Sequence, residues 1–547
     1  MADGTVSCRE GCRLEEQHEM SSTPDRMKPR VLGELLGFGA VVNPVGGVLD
    51  ADSKLHPWAE LDGVAHGLAS WLVDHGVQSG DRVAVLHPKS VWSFVAVHAI
   101  VRCGAIMVPL DPRGPRESVE AVLRFCQPSA IIGAAETVAA RASEYVSESS
   151  VPLAVSGELS RLDDLALPAK RLASLDTAMA WPQAHLPEVE PHQPAYIIFT
   201  SGSTGEPKGI THSHASALAY ADNAVKIHGL APTDRVAGTS PLHFDMSTLE
   251  LYACPLAGAT PVTITEGTLR FPATLSQQLE DAKVTVLYAV PYQLRQLSLR
   301  GDVAKRDLSA LRQISFGGEQ FSPGALQDLA QSLPPAELLN VYGPAEVNGV
   351  ASQRWDPRPS DLTTVPIGTA WPGVELRIVD EDLNDVQSGE TGELLATCPS
   401  QMIGYWSMPE SNERCFVVDG SRRWYRTGDI VRKDANELLH FMGRADTRVK
   451  VRGVRLELET IETVMGDAPG VDSVVVGVRE DDQGVQYVVA WVLPIDDREL
   501  SFDELRRWCL KRLPSSAVPS EIRFVNAFAE TRTGKIDRKS LRQSLSS

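Results

Sequence analysis

Short, uninterrupted apolar runs set at intervals among amphipathic stretches constrain this chain more than any other feature. Val83-Ala84-Val85-Leu86, Ala195-Tyr196-Ile197-Ile198-Phe199 and Val284-Thr285-Val286-Leu287-Tyr288 are such runs. A strand with one wet face alternates apolar and polar residues, whereas a strand covered on both faces has no reason to. Runs of this length between helical patterns predict strand–helix–strand units with covered sheets, an α/β fold. At 547 residues the chain is too long for one core. A large N-terminal domain is predicted over 29–441. The stretch Gly443-Arg444-Ala445-Asp446 is polar and glycine-bearing, as a hinge would be. Beyond it, Ser473–Val478 and Val488–Leu493 read as strands and Leu505–Leu513 as a helix, so a small α+β domain is predicted over 442–547. Residues 1–28 carry Arg9, Glu10, Arg13, Glu15 and Glu16 without an apolar centre. They read as a disordered lead rather than a secretory signal, with Met20 or Met27 as candidate starts.

Charge and cysteine usage narrow the function. A net charge of −19 disfavours sequence-independent binding to nucleic acid, which needs lysine and arginine to replace counterions. No stretch of about 20 apolar residues could span a membrane. The eight cysteines are scattered, and Cys8 and Cys12 have no matching ligands nearby. Free thiols in a reducing cytoplasm are the expectation.

The strongest local signal is Thr200-Ser201-Gly202-Ser203-Thr204-Gly205-Glu206-Pro207-Lys208-Gly209, directly after the apolar run ending at Phe199. Its glycines let backbone approach a ligand closely. Exposed amides and hydroxyls there can hydrogen-bond phosphate oxygens, and Lys208 adds a positive charge. The Gly-Lys-Ser/Thr ending of the P-loop is missing. The run resembles the signature loop of the adenylate-forming superfamily, which includes acyl-CoA synthetases, luciferases and the adenylation domains of nonribosomal peptide synthetases. Further stretches resemble motifs of that family, in its order. They are Cys103-Gly104-Ala105 with Val108-Pro109-Leu110-Asp111, Asn340-Val341-Tyr342-Gly343-Pro344-Ala345-Glu346, and Tyr425-Arg426-Thr427-Gly428-Asp429. Gly443–Asp446 running into Val449-Lys450-Val451-Arg452-Gly453, and Thr533-Gly534-Lys535-Ile536-Asp537-Arg538, complete the set.

The resemblance implies a large domain of stacked sheets and helices, a small mobile C-terminal domain, and attack of a carboxylate on the α-phosphate of ATP. Two anions must meet, so cations and amide donors have to be arranged beforehand. By resemblance Lys535 is the catalytic lysine, with Lys208 in the phosphate loop. Glu346 resembles the Mg²⁺-binding glutamate, a hard ligand for a hard cation. Asp429 matches the ribose-binding aspartate, and Arg444 is expected near ribose or phosphates. Asn340 and Tyr342 match adenine-contacting positions, with Gly317, Gly318 and Glu319 on the other side, and Gly343 belongs to the same nucleotide-binding set. Asp446 matches the hinge residue, about which the small domain would rotate to a thioester-forming pose with Val449–Gly453 lining a pantetheine tunnel. Two departures stand out. Ala345 replaces the usual threonine, removing one phosphate contact, and Glu459-Thr460 replaces the commoner Gly-Glu.

The family places the acid in a pocket that here begins at Asp245, within Pro241-Leu242-His243-Phe244-Asp245-Met246-Ser247. In peptide-synthetase adenylation domains the aspartate at this place binds the substrate's α-ammonium, whereas fatty-acyl and aryl ligases usually lack it. The remaining pocket positions carried over are Met246, Leu249, Tyr292, Ser315, Gly317, Val341, Gly349 and Val350. None is charged, so a charged side chain is disfavoured. Met246, Leu249 and Tyr292 are bulky and would shorten the pocket, while Gly317 and Gly349 would leave room elsewhere. A small uncharged amino acid such as alanine, serine, glycine or proline is expected, with a β-amino acid or a larger apolar residue open. No carrier domain follows Lys535, so a free-standing ligase meeting a carrier protein in trans is expected, with Arg448, Lys450, Arg452 and Arg455 as candidate contacts. The alternatives are an acyl- or aryl-CoA ligase, a non-catalytic nucleotide-binding protein of this fold, and a luciferase-like oxidation, for which no residue argues.

Overall fold

The computed structural model describes residues 28–165, 171–201, 207–355, 364–445, 448–451, 454–480, 486–495, 500–513, 517–531 and 535–544. The predicted lead, apart from Lys28, lies outside them, as do Gly202–Glu206, Asp446, Arg452, Gly453 and Thr533–Gly534.

Three sheets build the large domain. The first runs Thr369–Ala370, Ala351–Trp355, Glu337–Tyr342, Gln313–Gly317, Val286–Ala289, Arg235–Gly238, Thr260–Val262, Gly47–Leu49, Leu55–Pro57. From Glu337–Tyr342 across to Gly47–Leu49 its pairings are parallel, and its edges are antiparallel. The second runs Gly404–Tyr405, Pro207–Ser213, Pro194–Ser201, Ile106–Pro109, Arg82–Leu86, Ala130–Ala134, Leu153–Ser156, Leu172–Ser174. A third, antiparallel sheet holds Glu375–Val379, Thr391–Thr397, Phe416–Asp419, Arg422–Lys433 and Leu439–Arg444. The apolar runs found in the sequence are central strands of the first two sheets, covered on both faces.

Between those two sheets lies the largest core. It joins Val83 and Val85 of one sheet to Val236, Val286 and Leu339 of the other through Trp58–Asp74, Val91–Arg102 and His214–His228. The last two helices start with serine capping boxes, Ser90 with Ser93 and Ser213 with Ser216, each satisfying two amides that a helix start leaves bare. Separate cores fill the outer faces of both sheets.

The small domain has its own core around Ile461, Met465, Val476, Ala490 and Leu505. Val471–Glu480 pairs antiparallel with Gln486–Pro494, which pairs parallel with Glu521–Phe524. Leu439–Arg444 pairs with Arg422–Lys433 as far as Asp429↔Arg444. Gly443 and Arg444, expected within a hinge, therefore finish a strand of the third sheet.

Candidate active site

A cavity of about 300 Å³ opens where the parallel strands of the first sheet end, against the third sheet and one lysine of the small domain. Val286–Ala289, Gln313–Gly317 and Glu337–Tyr342 all finish at this edge, where open parallel sheets hold ligands. The sequence brings several expected residues onto its wall: Asp245, Met246, Gly318, Glu319, Asn340 and Val341, then Tyr342, Gly343, Gly349, Asp429, Arg444 and Lys535.

One end of the cavity is ready for a polar ligand. The Tyr342 hydroxyl donates to Asp429 Oδ2 at 2.5 Å, and Arg444 Nη1 donates to Asp429 Oδ1 at 2.8 Å and to the Thr427 carbonyl at 3.3 Å. The Asn340 amide donates to the Pro366 carbonyl at 2.9 Å, which fixes its orientation. Ile367 and Phe441 complete the wall with apolar surface. Neither belongs to a quoted motif, although Phe441 stands two residues before Gly443, and sequence reasoning missed them.

Lys535 crosses from the small domain and donates to the Gly318 carbonyl at 2.8 Å, with its ammonium 4.8 Å from the centre of the Phe244 ring. Gly318 has φ +81°, and a side chain there would crowd the lysine nitrogen. Burial lowers the Lys535 pKa, while the charges of Glu319 and Asp245 act against that. Arg538 bridges the domains, reaching Glu319 at 3.3 Å and Glu462 at 2.8 Å. The motif that carries Lys535 thus also carries the arginine that pairs beside it.

Thr200 and Ser201 end the strand Pro194–Ser201, whose partner Pro207–Ser213 pairs it as far as Ser201↔Pro207. These two paired strands flank the predicted phosphate loop. Gly202, Ser203, Thr204 and Gly205 lie outside the described residues. Lys208 approaches the Tyr405 ring, 5.5 Å from its centre, and the Tyr405 hydroxyl donates to Glu346 Oε1 at 2.8 Å. Nothing in the sequence marked Tyr405. Among the described residues no cluster of three or more His, Cys, Asp or Glu could cage a metal. A lone half-buried carboxylate at Glu346 fits Mg²⁺ held through one protein ligand, nucleotide phosphates and water. Ala345 lines the cavity, and its carbonyl is 2.9 Å from His212 Nε2.

At the other end stands Asp245, at the start of the short turn Asp245–Ser247. Burial pushes its carboxyl up to about 6, with Lys535 opposing and Glu346 adding to the rise. Around it the walls differ from expectation. Tyr292 is not on this cavity: it lines a second one, with Arg113, Glu266 and Glu530. The physical reason is the chain's turn at Pro291, which opens the helix Pro291–Arg300. The residue that ends on the cavity is Tyr288, in the strand four positions earlier, and Tyr220 joins it. The apolar run ending at Tyr288 was the available signal. Leu249 and Val350 are fully buried in the core, and Ser315 is fully buried within its strand, 3.1 Å from His228 Nδ1; none of the three lines the cavity. Nor do the glycines leave space. A side chain on Gly349 would run into the Trp371 ring, and one on Gly317 into the Val341 carbonyl.

Residues 44–406 match the AMP-binding enzyme family and residues 460–535 its C-terminal domain. A dimodular nonribosomal peptide synthase of Bacillus subtilis is 31% identical over 514 residues, 92% of this chain but 20% of that protein. The L-proline–[L-prolyl-carrier protein] ligase of Pseudomonas fluorescens is 31% identical over 474 residues, 85% of this chain and 89% of that one. Among solved structures, an anthranilate CoA ligase with anthranoyl-AMP has TM-score 0.84 at 23% identity, covering 94% of this chain and 98% of that one. An amide bond synthetase of Marinactinospora thermotolerans has TM-score 0.81 at 25% identity, covering 93% and 99%. The chain belongs to the AMP-binding enzymes, the adenylate-forming ligases that activate acids.

Proposed function

We propose that this ligase activates a small uncharged amino acid with ATP and passes it to the phosphopantetheine thiol of a separate carrier protein. In the first half-reaction a carboxylate oxygen of the amino acid attacks the α-phosphorus and pyrophosphate leaves. In the second, the thiol sulfur attacks the carbonyl carbon of the adenylate and AMP leaves. Asp245 is the observation that carries this reading: a half-buried carboxylate on the cavity wall, near Lys535, with backbone N–H groups but no side chain donating to it among the described residues. An ammonium group arriving there gains an ion pair in a partly dry site, where it is worth more than at a surface. Acids without an amine would leave that carboxylate unpaired.

Asp429, held by Tyr342 and Arg444, is suited to accept the ribose hydroxyls, and Asn340 with Phe441 and Ile367 to bound the adenine. Lys535 is suited to hold the attacking carboxylate against the α-phosphate. Mg²⁺, held through Glu346, would neutralise phosphate charge. The carrier as acceptor is supported by the proline–carrier protein ligase, which this chain matches over most of both lengths.

The test is ATP–pyrophosphate exchange across proteinogenic and β-amino acids, with Asp245→Ala alongside, followed by thiol transfer to holo-carrier proteins and to coenzyme A. Exchange with one small amino acid, abolished in Asp245→Ala, is the expected result. Exchange confined to acids lacking an amine, and indifferent to Asp245→Ala, would move the enzyme to the acyl- or aryl-ligase branch.

A further inference from the structure

We infer that Tyr288 reads the substrate's side chain through its hydroxyl, and that the amino acid activated carries a hydrogen-bonding oxygen on a short side chain. This rests on the amino-acid reading given above and adds a chemical requirement to it. Tyr288 is 5% exposed and lines the cavity that holds Asp245. His228 meets its ring edge-on at 5.6 Å, so the ring is held from behind. Its hydroxyl stands 3.5 Å from where a β-carbon on Gly317 would be, one residue before Gly318 on the cavity wall.

The neighbouring hydroxyls are engaged. Ser315 pairs with His228, Tyr342 with Asp429, and Tyr220 with Thr248. Asn348 turns its amide nitrogen towards His212, at 3.5 Å. The Tyr288 hydroxyl has no hydrogen-bond partner among the described residues, although it borders the cavity. Tyr196 and Tyr252 also carry unpaired buried hydroxyls, but those are sealed in the core and can meet no ligand. Apolar side chains on the same cavity wall include Met246 and Val341, and the Trp371 ring stands behind Gly349. A hydrocarbon side chain would strip water from this phenol and give nothing back, whereas a hydroxyl or carbonyl oxygen on the substrate would pair with it. Sites that hydrogen-bond a substrate group discriminate against its absence far more strongly than apolar pockets discriminate one methylene.

The experiment is pyrophosphate exchange by the full chain with matched pairs: serine against alanine and 2-aminobutyrate, threonine against valine, each with wild type and Tyr288→Phe. The wild type is expected to favour the oxygen-bearing member of at least one pair by about tenfold or more in kcat/KM. In Tyr288→Phe that preference should collapse, through loss of rate on the oxygen-bearing member. A thermal melt of Tyr288→Phe close to wild type separates this from misfolding. Preference for the hydrocarbon members in wild type, or a preference that survives Tyr288→Phe, overturns the inference and leaves the amino-acid reading standing. Exchange with no amino acid at all, but with acids lacking an amine, overturns both.

Discussion

At the scale of single residues, the acid chemistry of Asp245 sets a pH dependence whose sign can be worked out. Its carboxyl is pushed up to about 6 chiefly by burial, so the folded chain binds this proton more tightly than the unfolded chain does. Between the ordinary carboxylate range and about 6, the folded state holds more protons at this group, and its contribution to stability falls as pH rises. A substrate ammonium beside the carboxylate favours the ionised form and reverses that cost. The KM for the amino acid should therefore climb as pH drops below about 6, by roughly tenfold per unit, while the KM for ATP changes little. Initial-rate exchange assays across pH 5 to 8 check this, and Asp245→Asn should flatten the profile and raise KM by about a hundredfold or more. Ala345 permits a second prediction in the opposite direction. It lines the cavity where a hydroxyl is commonly found in related sequences. Ala345→Thr should restore one polar contact, worth about 0.5–1.5 kcal/mol, and raise the adenylation rate about two- to tenfold in single-turnover measurements.

At the scale of elements, the segment that follows Asp245 and Met246 is tied down by a buried ion pair. Lys89, in front of the helix Val91–Arg102, donates to Glu250 at 2.5 Å, to the Gly238 carbonyl at 2.8 Å and to the Ser240 carbonyl at 3.1 Å. Glu250 lies in the π-turn Leu249–Ala253, directly after the turn that carries Asp245 and Met246. Lys89→Met should leave Glu250 buried without its cation and destabilise the chain by about 3–5 kcal/mol. Urea unfolding should show part of that loss recovered in Lys89→Met with Glu250→Gln, because the two residues act as one unit. None of this was legible in the sequence, where Lys89 and Glu250 are far apart and neither belongs to a motif. What was legible was carried by local pattern. The run at 83–86 is in the strand Arg82–Leu86, that at 195–199 lies within Pro194–Ser201, and the strands predicted over 473–478 and 488–493 lie within Val471–Glu480 and Gln486–Pro494. The run beginning at Val284 forms the strand Val286–Ala289, two residues later, although the Thr285 amide already donates to the Arg235 carbonyl at 2.9 Å. That offset matters for function, since the pocket position assigned to Tyr292 belongs to a helix and the cavity is walled by Tyr288 at the strand end. The glycines misled for a related reason: what fills the space beside Gly349 is Trp371, a residue that only the tertiary fold brings there.

At the scale of the whole molecule, the question is what holds Lys535 in the site. Among the described residues its ammonium makes one hydrogen bond, to Gly318, and one ring contact, with Phe244, too little to fix a domain. A buried clamp stands at the same interface. Asp472 of the small domain is fully buried and accepts from Arg295 at 3.2 Å and from Gln296 and Arg300 at 3.4 Å, all on the helix Pro291–Arg300 of the large domain. Asp467 accepts from the Gly324 amide at 3.0 Å, and Arg538 reaches Glu319. These contacts join the small domain to the two segments that flank the cavity, the one after Tyr288 and the one after Gly317. If the family's two poses apply here, the clamp belongs to the adenylating one, and loosening it should penalise that half-reaction alone. Asp472→Ala is expected to slow single-turnover formation of aminoacyl-AMP by about tenfold or more, the cost of leaving Arg295 without its buried partner. Thiol capture of aminoacyl-AMP supplied ready-made should proceed at the wild-type rate or faster, since that step does not use Lys535. Equal losses in both half-reactions would instead assign Asp472 to the folding of the small domain, and the helix Pro291–Arg300 would then be a packing surface rather than the element that times the chemistry.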